Sequence, residues 1–164
     1  MPADDPSPTE ISAFAMQLLS RREYGAHELV QRLVRKWPAG EGLAGVIEEC
    51  VRDLAEQGLQ SDQRFAESFV RSRMARSQGP LKIKAELQRR RVDEAAVRGV
   101  LEEDESFWAR LAAEWLERQN PGTFDRAERA RFYRRLRNRG FSHGQAMSAL
   151  DLQSRSGSEP DGCD

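Results

Sequence analysis

The sequence predicts an all-α fold, built as an elongated, curved array of three tandem three-helix repeats. Three observations lead there. First, a six-residue apolar pattern occurs three times: Phe14-Ala15 with Leu18-Leu19, Phe65-Ala66 with Phe69-Val70, and Leu111-Ala112 with Trp115-Leu116. In each copy the apolar residues stand at i, i+1, i+4 and i+5, one face of an α-helix. The copies are offset by 51 and 46 residues, a spacing typical of arrays whose units are too small to bury a face alone. Second, later positions keep the same order. Leu29 and Leu33 correspond to Ile83 and Leu87, then to Phe132 and Leu136, and Ile47 corresponds to Val97 and Met147. Third, 32% of the residues are charged and only 7% aromatic, which suits solvated helices around narrow apolar stripes better than one thick core.

In the first repeat, residues 10–59, a helix is expected from about Glu10 to Arg22, capped by Thr9 after the turn at Pro8. A break at Tyr24-Gly25 precedes a helix carrying Leu29, Val30, Leu33 and Val34. That helix must stop before Pro38, because the residue ahead of a proline disfavours the α region. Pro38 to Gly42 reads as a loop. A third helix from about Leu43 presents Val46, Ile47, Cys50, Val51 and Leu54 and is stopped by Gly58.

The second repeat, residues 60–104, follows the same order. Ser61 or Asp62 caps a helix carrying Phe65, Ala66, Phe69 and Val70. After the turn Gln78-Gly79, Pro80 suits the first position of a helix carrying Leu81, Lys82, Ile83, Lys84 and Leu87. Asp93 caps a third helix with Val97, Val100 and Leu101 on its apolar face, and Val92 is placed to staple onto Val97. The third repeat, residues 105–152, begins near Ser106 with Phe107, Trp108, Leu111 and Trp115, and Asn120-Pro121-Gly122 interrupts it. Phe132, Tyr133 and Leu136 mark its second helix, which ends at Gly140. Ser142-x-x-Gln145 is a capping box for the last helix, with Met147 and Leu150. Residues 1–9 and 153–164 are polar and read as disordered ends.

Composition excludes several classes. No run of about 18 apolar residues is present, so no membrane-spanning helix is expected. Met1 to Thr9 lacks the basic and apolar regions of a signal peptide. Cys50 lies in an apolar stretch and Cys163 in a polar tail, so no disulfide is expected and a reducing cytoplasm is the expected setting. His27 and His143 are the only histidines. His143 reads as a solvated first-turn residue, no Cys/His cluster has metal spacing, and no phosphate-binding GxxxxGK[ST] loop occurs. Neither catalytic residues nor a metal or cofactor are expected.

The net charge of −1 hides a strong asymmetry. Residues 1–62 carry a net −5, residues 63–102 a net +5 and residues 103–164 a net −1. Arg71, Arg73, Arg76, Lys82, Lys84, Arg89, Arg90 and Arg91 fall within 21 residues that hold only one acid, Glu86. Arg126, Arg129, Arg131, Arg134, Arg135, Arg137 and Arg139 fall within a second stretch whose only acid is Glu128. Such density points to nucleic-acid phosphates or an acidic protein groove, and the predominance of arginine suits bidentate contacts. The competing reading is a solvated helical face satisfied by carboxylates one turn away. The scarcity of carboxylates within both stretches favours binding. Phe65, Phe69, Trp108, Trp115, Phe132 and Tyr133 stand at core spacing, while Tyr24 and Trp37 lie beside helix breaks and are freer to meet a partner.

Four motifs occur in order across residues 10–151. They are Leu18-Leu19-Ser20-Arg21-Arg22-Glu23 with Glu28-Leu29, then Asp62-x-x-Arg64-Phe65-Ala66 with Phe69-Val70-Arg71-Ser72-Arg73, then Gly79-Pro80-Leu81-Lys82-Ile83 with Glu86-Leu87, and last Arg137-x-Arg139-Gly140-Phe141-Ser142. Together they resemble the RecX family, modulators of the RecA recombinase. Gly25 departs from the family's serine-like cap, Arg91 from its helix-ending glycine, and the Trp37 to Gly42 loop is longer.

The resemblance implies a crescent of three three-helix units that binds the groove of the RecA filament. It also implies inhibition of ATP hydrolysis and strand exchange, without catalysis or cofactor, in recombination, DNA repair and the SOS response. The implied binding surface is the set of cations named above, together with Arg21 and Arg22. Single- or double-stranded DNA is a possible second partner, and a monomer is the expected state. The alternative is a basic helical nucleic-acid-binding protein that acts without a recombinase.

Overall fold

The structure, a computed structural model, describes residues 5–38, 41–119 and 122–156. Among these residues the fold is all-helical, with nine helices in three successive triplets and no strand. The first triplet is α1 (Pro8–Leu19), α2 (Ala26–Lys36) and α3 (Glu41–Glu56). The second is α4 (Asp62–Met74), α5 (Pro80–Arg89) and α6 (Glu94–Gly99). The third is α7 (Glu105–Gln119), α8 (Arg126–Asn138) and α9 (His143–Ser156).

Helix starts follow capping chemistry. Ser7, not Thr9, caps α1: its hydroxyl accepts from the Glu10 N–H, and the Glu10 carboxylate accepts from the Ser7 N–H at 2.9 Å. This reciprocal pair satisfies two donors at once and places Pro8 at the first helical position, where its missing N–H costs nothing. Asp125 and Glu128 form the same box at α8, and Ser142 and Gln145 form it at α9. Ser61 Oγ accepts from the Arg64 N–H at the start of α4, and Asp93 caps α6. Four other ends differ from expectation, and one is α6, which stops at Gly99 ahead of the expected Val100 and Leu101. α1 stops at Leu19 rather than Arg22, α3 already begins at Glu41, and α9 continues to Ser156 with Gln153 buried. Residues 39 and 40 of the expected loop, Asn120 and Pro121, and residues 157–164, including Cys163, lie outside the described residues.

Four helices end alike. After α3, α4, α5 and α8 the chain turns through a left-handed residue: Gly58, Ser77, Arg91 and Gly140, with φ of 72°, 53°, 54° and 96°. In each case the next N–H returns to the carbonyl five residues back: Leu59 to Leu54, Gln78 to Arg73, Val92 to Leu87 and Phe141 to Leu136. This pairing satisfies carbonyls the helix leaves open. In the last two pairs both residues are apolar and buried, which seals the ends of α5 and α8.

Two compact units result. The first contains the chain up to Phe69 together with Leu87–Val100. Here α1, α2 and α3 pack on one another around Ile11, Ala15, Leu29, Leu33, Ile47 and Leu54. Cys50 is buried in this core as a free thiol. The second unit contains Val70–Glu86 and the chain from Leu101 onward. Here α9 packs on α7 and on α8, with Ala109 and Ala112 of α7 and Ala146 and Ala149 of α9 all buried. Small residues at these positions let two helices approach closely, while Trp108, Leu116, Leu136, Phe141 and Leu150 supply the apolar volume. Burying each such large side chain contributes about 1.5–3 kcal/mol.

Candidate functional site

The 71–91 basic stretch is divided between the two units. Arg71, Arg73, Arg76, Lys82 and Lys84 fold with the second unit, where α8 and its C-cap Arg139 add the second arginine-rich stretch. Arg89, Arg90 and Arg91 fold with the first unit, which also holds Arg21 and Arg22. The elements that present the second-unit cations are joined at their ends. The first N–H groups of α5 lack intrahelical acceptors, and the close of α8 supplies them: Gly79 N–H donates to the Arg139 carbonyl at 2.8 Å and Leu81 N–H to the Gly140 carbonyl at 3.0 Å. This approach requires glycine on both sides. A Cβ at Gly79 would overlap the Gly140 carbonyl, and a Cβ at Gly140 would overlap Lys82.

Several of the expected contact residues are engaged by neighbours within the fold, although Arg22, Arg131 and Arg135 stay exposed. Arg73 forms an ion pair with Glu86 at 2.9 Å, with side chains only 19% and 17% exposed. Arg22 pairs with Glu28 at 2.7 Å and lies 3.5 Å over the Tyr24 ring, and the bond to Glu28 raises its pKa. Arg90 approaches the same Glu28 at 3.8 Å and covers Phe69. Arg129 pairs with Asp151 at 2.6 Å, and Arg131 lies over Phe132. Arg135 lies over Trp115 and donates to Gln119. Arg139 donates to the carbonyls of Ser77 and Arg76 and lies over Trp115. Burial, with the Arg135 and Arg118 charges beside it, lowers the Arg139 pKa.

The remaining cations point outward. Arg21, Arg71, Arg76, Lys82, Lys84, Arg91, Arg126, Arg134 and Arg137 are exposed and make no ion pair among the described residues, and Arg89 is exposed as well. On α5 the exposed Lys82 and Lys84 alternate with Leu81 and the buried Ile83, and Leu81 is itself 52% exposed. The second unit therefore presents exposed cations on α5 and α8, and those of α5 stand beside an exposed leucine.

Two participants are not visible in the sequence. Arg118 of α7 stands beside Glu114 and Glu117 in the chain, the pattern of a neutralised cation, yet its Nη2 donates to Ser77 Oγ at 2.5 Å. Asp62 ties the first unit together. One carboxylate oxygen accepts from the Ala26 N–H at 2.8 Å and from the Gln60 amide, and the other accepts from the Asp93 N–H at 2.9 Å. Gly25 therefore needs no side-chain cap of its own, because Asp62 supplies one from 36 residues beyond Ala26. Tyr24 is buried rather than free for a partner, because Arg22 covers it and Gln60 bonds its carbonyl. Trp37 is half-buried edge-on against Phe14, and Phe69 and Tyr133 are half-buried rather than core.

Among the described residues no group of three or more His, Cys, Asp or Glu stands together as for a metal. No described helix is long and apolar enough to cross a membrane.

Comparison with known proteins agrees with the all-helical fold. A family model described as RecX, second three-helix domain, matches residues 61–101. Regulatory protein RecX of Chromohalobacter salexigens is 44% identical over 138 residues, which span 83% of this chain and 88% of that protein. The protein of the same name from Halorhodospira halophila is 39% identical over 137 residues, spanning 82% and 83%. The crystal structure of RecX from Lactobacillus salivarius superposes with a TM-score of 0.73 over 88% of this chain and 97% of that one, at 24% identity. A second crystal structure, of regulatory protein RecX, gives a TM-score of 0.68 at 22% identity, over 88% of this chain and 73% of that one. At this identity and coverage, the chain belongs to the RecX family of regulatory proteins.

Proposed function

We propose that this protein is a non-enzymatic regulator that binds the groove of the RecA nucleoprotein filament. There it inhibits ATP hydrolysis and strand exchange, in recombination, DNA repair and the SOS response. The observation that carries the reading is the set of exposed cations on α5 and α8 that make no ion pair among the described residues. Bonds between α5 and the end of α8 hold them on rigid helices. A filament repeats its subunits at fixed spacing. Three repeats, at residues 10–59, 60–104 and 105–152, would touch several subunits at once, each contact raising the effective concentration of the next. Stiff helical units lose less entropy on docking than a flexible chain. Inhibition follows if the protein bridges subunits or occupies the approach path of the incoming strand. The protein works as a monomer in the cytoplasm, without a cofactor.

The test is RecA-dependent ATP hydrolysis on single-stranded DNA, titrated with this protein. Hydrolysis falling as the protein approaches stoichiometry with RecA supports the proposal. An unchanged rate at equal concentrations rejects it.

A further inference from the structure

Two guanidiniums of the second unit bond one short loop and a third shares a ring with one of them, with no carboxylate bonded to any of the three among the described residues. Arg118 donates to Ser77 Oγ, and Arg139 donates to the Ser77 and Arg76 carbonyls. The Arg135 and Arg139 guanidinium carbons lie 4.9 and 4.8 Å from the centre of the same Trp115 ring. Every described acceptor that holds the three is neutral: a hydroxyl, two backbone carbonyls and the Gln119 amide oxygen. A guanidinium has five N–H donors in a planar fork, so Arg118 and Arg135 each keep most of theirs for another acceptor. We propose that Arg118, Arg135 and Arg139 form a binding site for a backbone phosphate of nucleic acid.

The chemistry favours a phosphate over other anions. Planar forks bind phosphate oxygens bidentately, and three like charges held close together are relieved by a ligand of matching charge. Burial first, and then the Arg135 and Arg118 charges, lower the Arg139 pKa, so the three cations lie within reach of one another's fields. A nucleic-acid strand is the source that fits the surroundings. Arg76, Arg134 and Arg137 stand nearby in the chain, exposed and without ion pairs among the described residues, so the ligand should carry charges in series. Trp115 is buried with Phe132 edge-on against it, which leaves no face for a base to stack on. The contact is therefore with the backbone and independent of sequence. Arg139, fixed by its bonds to the loop, acts as the positioning member, while Arg118 and Arg135 supply the open donors. The inference rests on the preceding reading, in that it assigns part of the same basic surface to the DNA within the filament.

The test uses the full chain and a fluorescently labelled oligothymidylate, without recombinase, followed by anisotropy over a salt series. Arg118→Gln with Arg135→Gln should weaken binding about tenfold at low salt and flatten the plot of log affinity against log salt by about 0.7 for each phosphate no longer bound. Arg135→Gln alone, which gives up only its Gln119 bond and its place over the rings, should weaken binding about threefold and covers the case in which the double variant folds poorly. Unchanged affinity and slope in both variants would overturn the site. So would a polyglutamate of equal charge that displaces the oligonucleotide equally well. The two proposals fail separately. A protein that binds the strand as described but leaves RecA hydrolysis untouched defeats the regulatory reading and keeps the site. A protein that inhibits hydrolysis while both variants bind the strand normally defeats the site and keeps the reading.

Discussion

Arg91 occupies a left-handed position where glycine is the residue with no steric penalty. The departure from a helix-ending glycine is plain in the sequence, but that the chain keeps the same turn regardless is visible only in the fold. The left-handed conformation costs an L-residue roughly 1–2 kcal/mol, and glycine offsets roughly 0.5–1 kcal/mol of that through its freer unfolded chain. Arg91→Gly is therefore expected to stabilise the protein by about 0.5–1 kcal/mol, read from the urea midpoint. Ser77 has the same backbone geometry, yet its hydroxyl holds Arg118, so glycine there would give up a bond as well. Asp62 is the opposite case, a residue whose importance comes from bonds to Ala26, Gln60 and Asp93 that folding assembles. Asp62→Ala strands two backbone donors, and a cost of about 2–4 kcal/mol is expected by urea unfolding. Glu10 gives a pH signature. Its bonds to Ser7 lower its pKa, so its contribution is present above the ordinary glutamate range and is lost as pH falls through the lowered folded value. The Ser7 and Glu10 amides should keep their exchange protection through the ordinary glutamate range and lose it only as pH falls below that range.

At the scale of elements, the contact between the start of α5 and the close of α8 is the feature that positions the basic surface. Gly79→Ala or Gly140→Ala forces backbone apart, and each is expected to cost about 3 kcal/mol by chemical denaturation. Apolar spacing is enough to find the helices, because a face repeating at i and i+4 leaves little choice. Capping pairs such as Ser142-x-x-Gln145 are equally readable. The pairs Ser7-x-x-Glu10 and Asp125-x-x-Glu128 carry the same signature, and the first sets a helix start ahead of the expected Glu10. The Asp62 bonds, the Glu28 contacts of Arg22 and Arg90, and the role of Arg118 depend on residues brought together by folding, and no local pattern encodes them. Phe69 illustrates the limit of periodicity. It holds a core-type position but is half-buried beside Phe65 and under Arg90, so Phe69→Ala should cost less than the roughly 3–5 kcal/mol of a fully buried phenylalanine. Phe132→Ala, at a buried site, should cost that full amount in the same unfolding assay.

For the whole molecule, scaffold and charge are separate layers. The apolar stripes of the three triplets build the cores, while the sign of the charge changes from acidic at the start of the chain to basic on α5 and α8. Charge reversal on an exposed helical face changes association strongly and stability little. Lys82 and Lys84 are the cleanest places to apply it, since both are exposed and neither is ion-paired among the described residues. The most direct measurement is therefore the affinity of Lys82→Glu with Lys84→Glu for RecA assembled on single-stranded DNA, set beside wild type with circular dichroism on both. Binding weakened about tenfold or more, with helical signal and melting unchanged, is the expected result. Wild-type affinity in the double variant would contradict it.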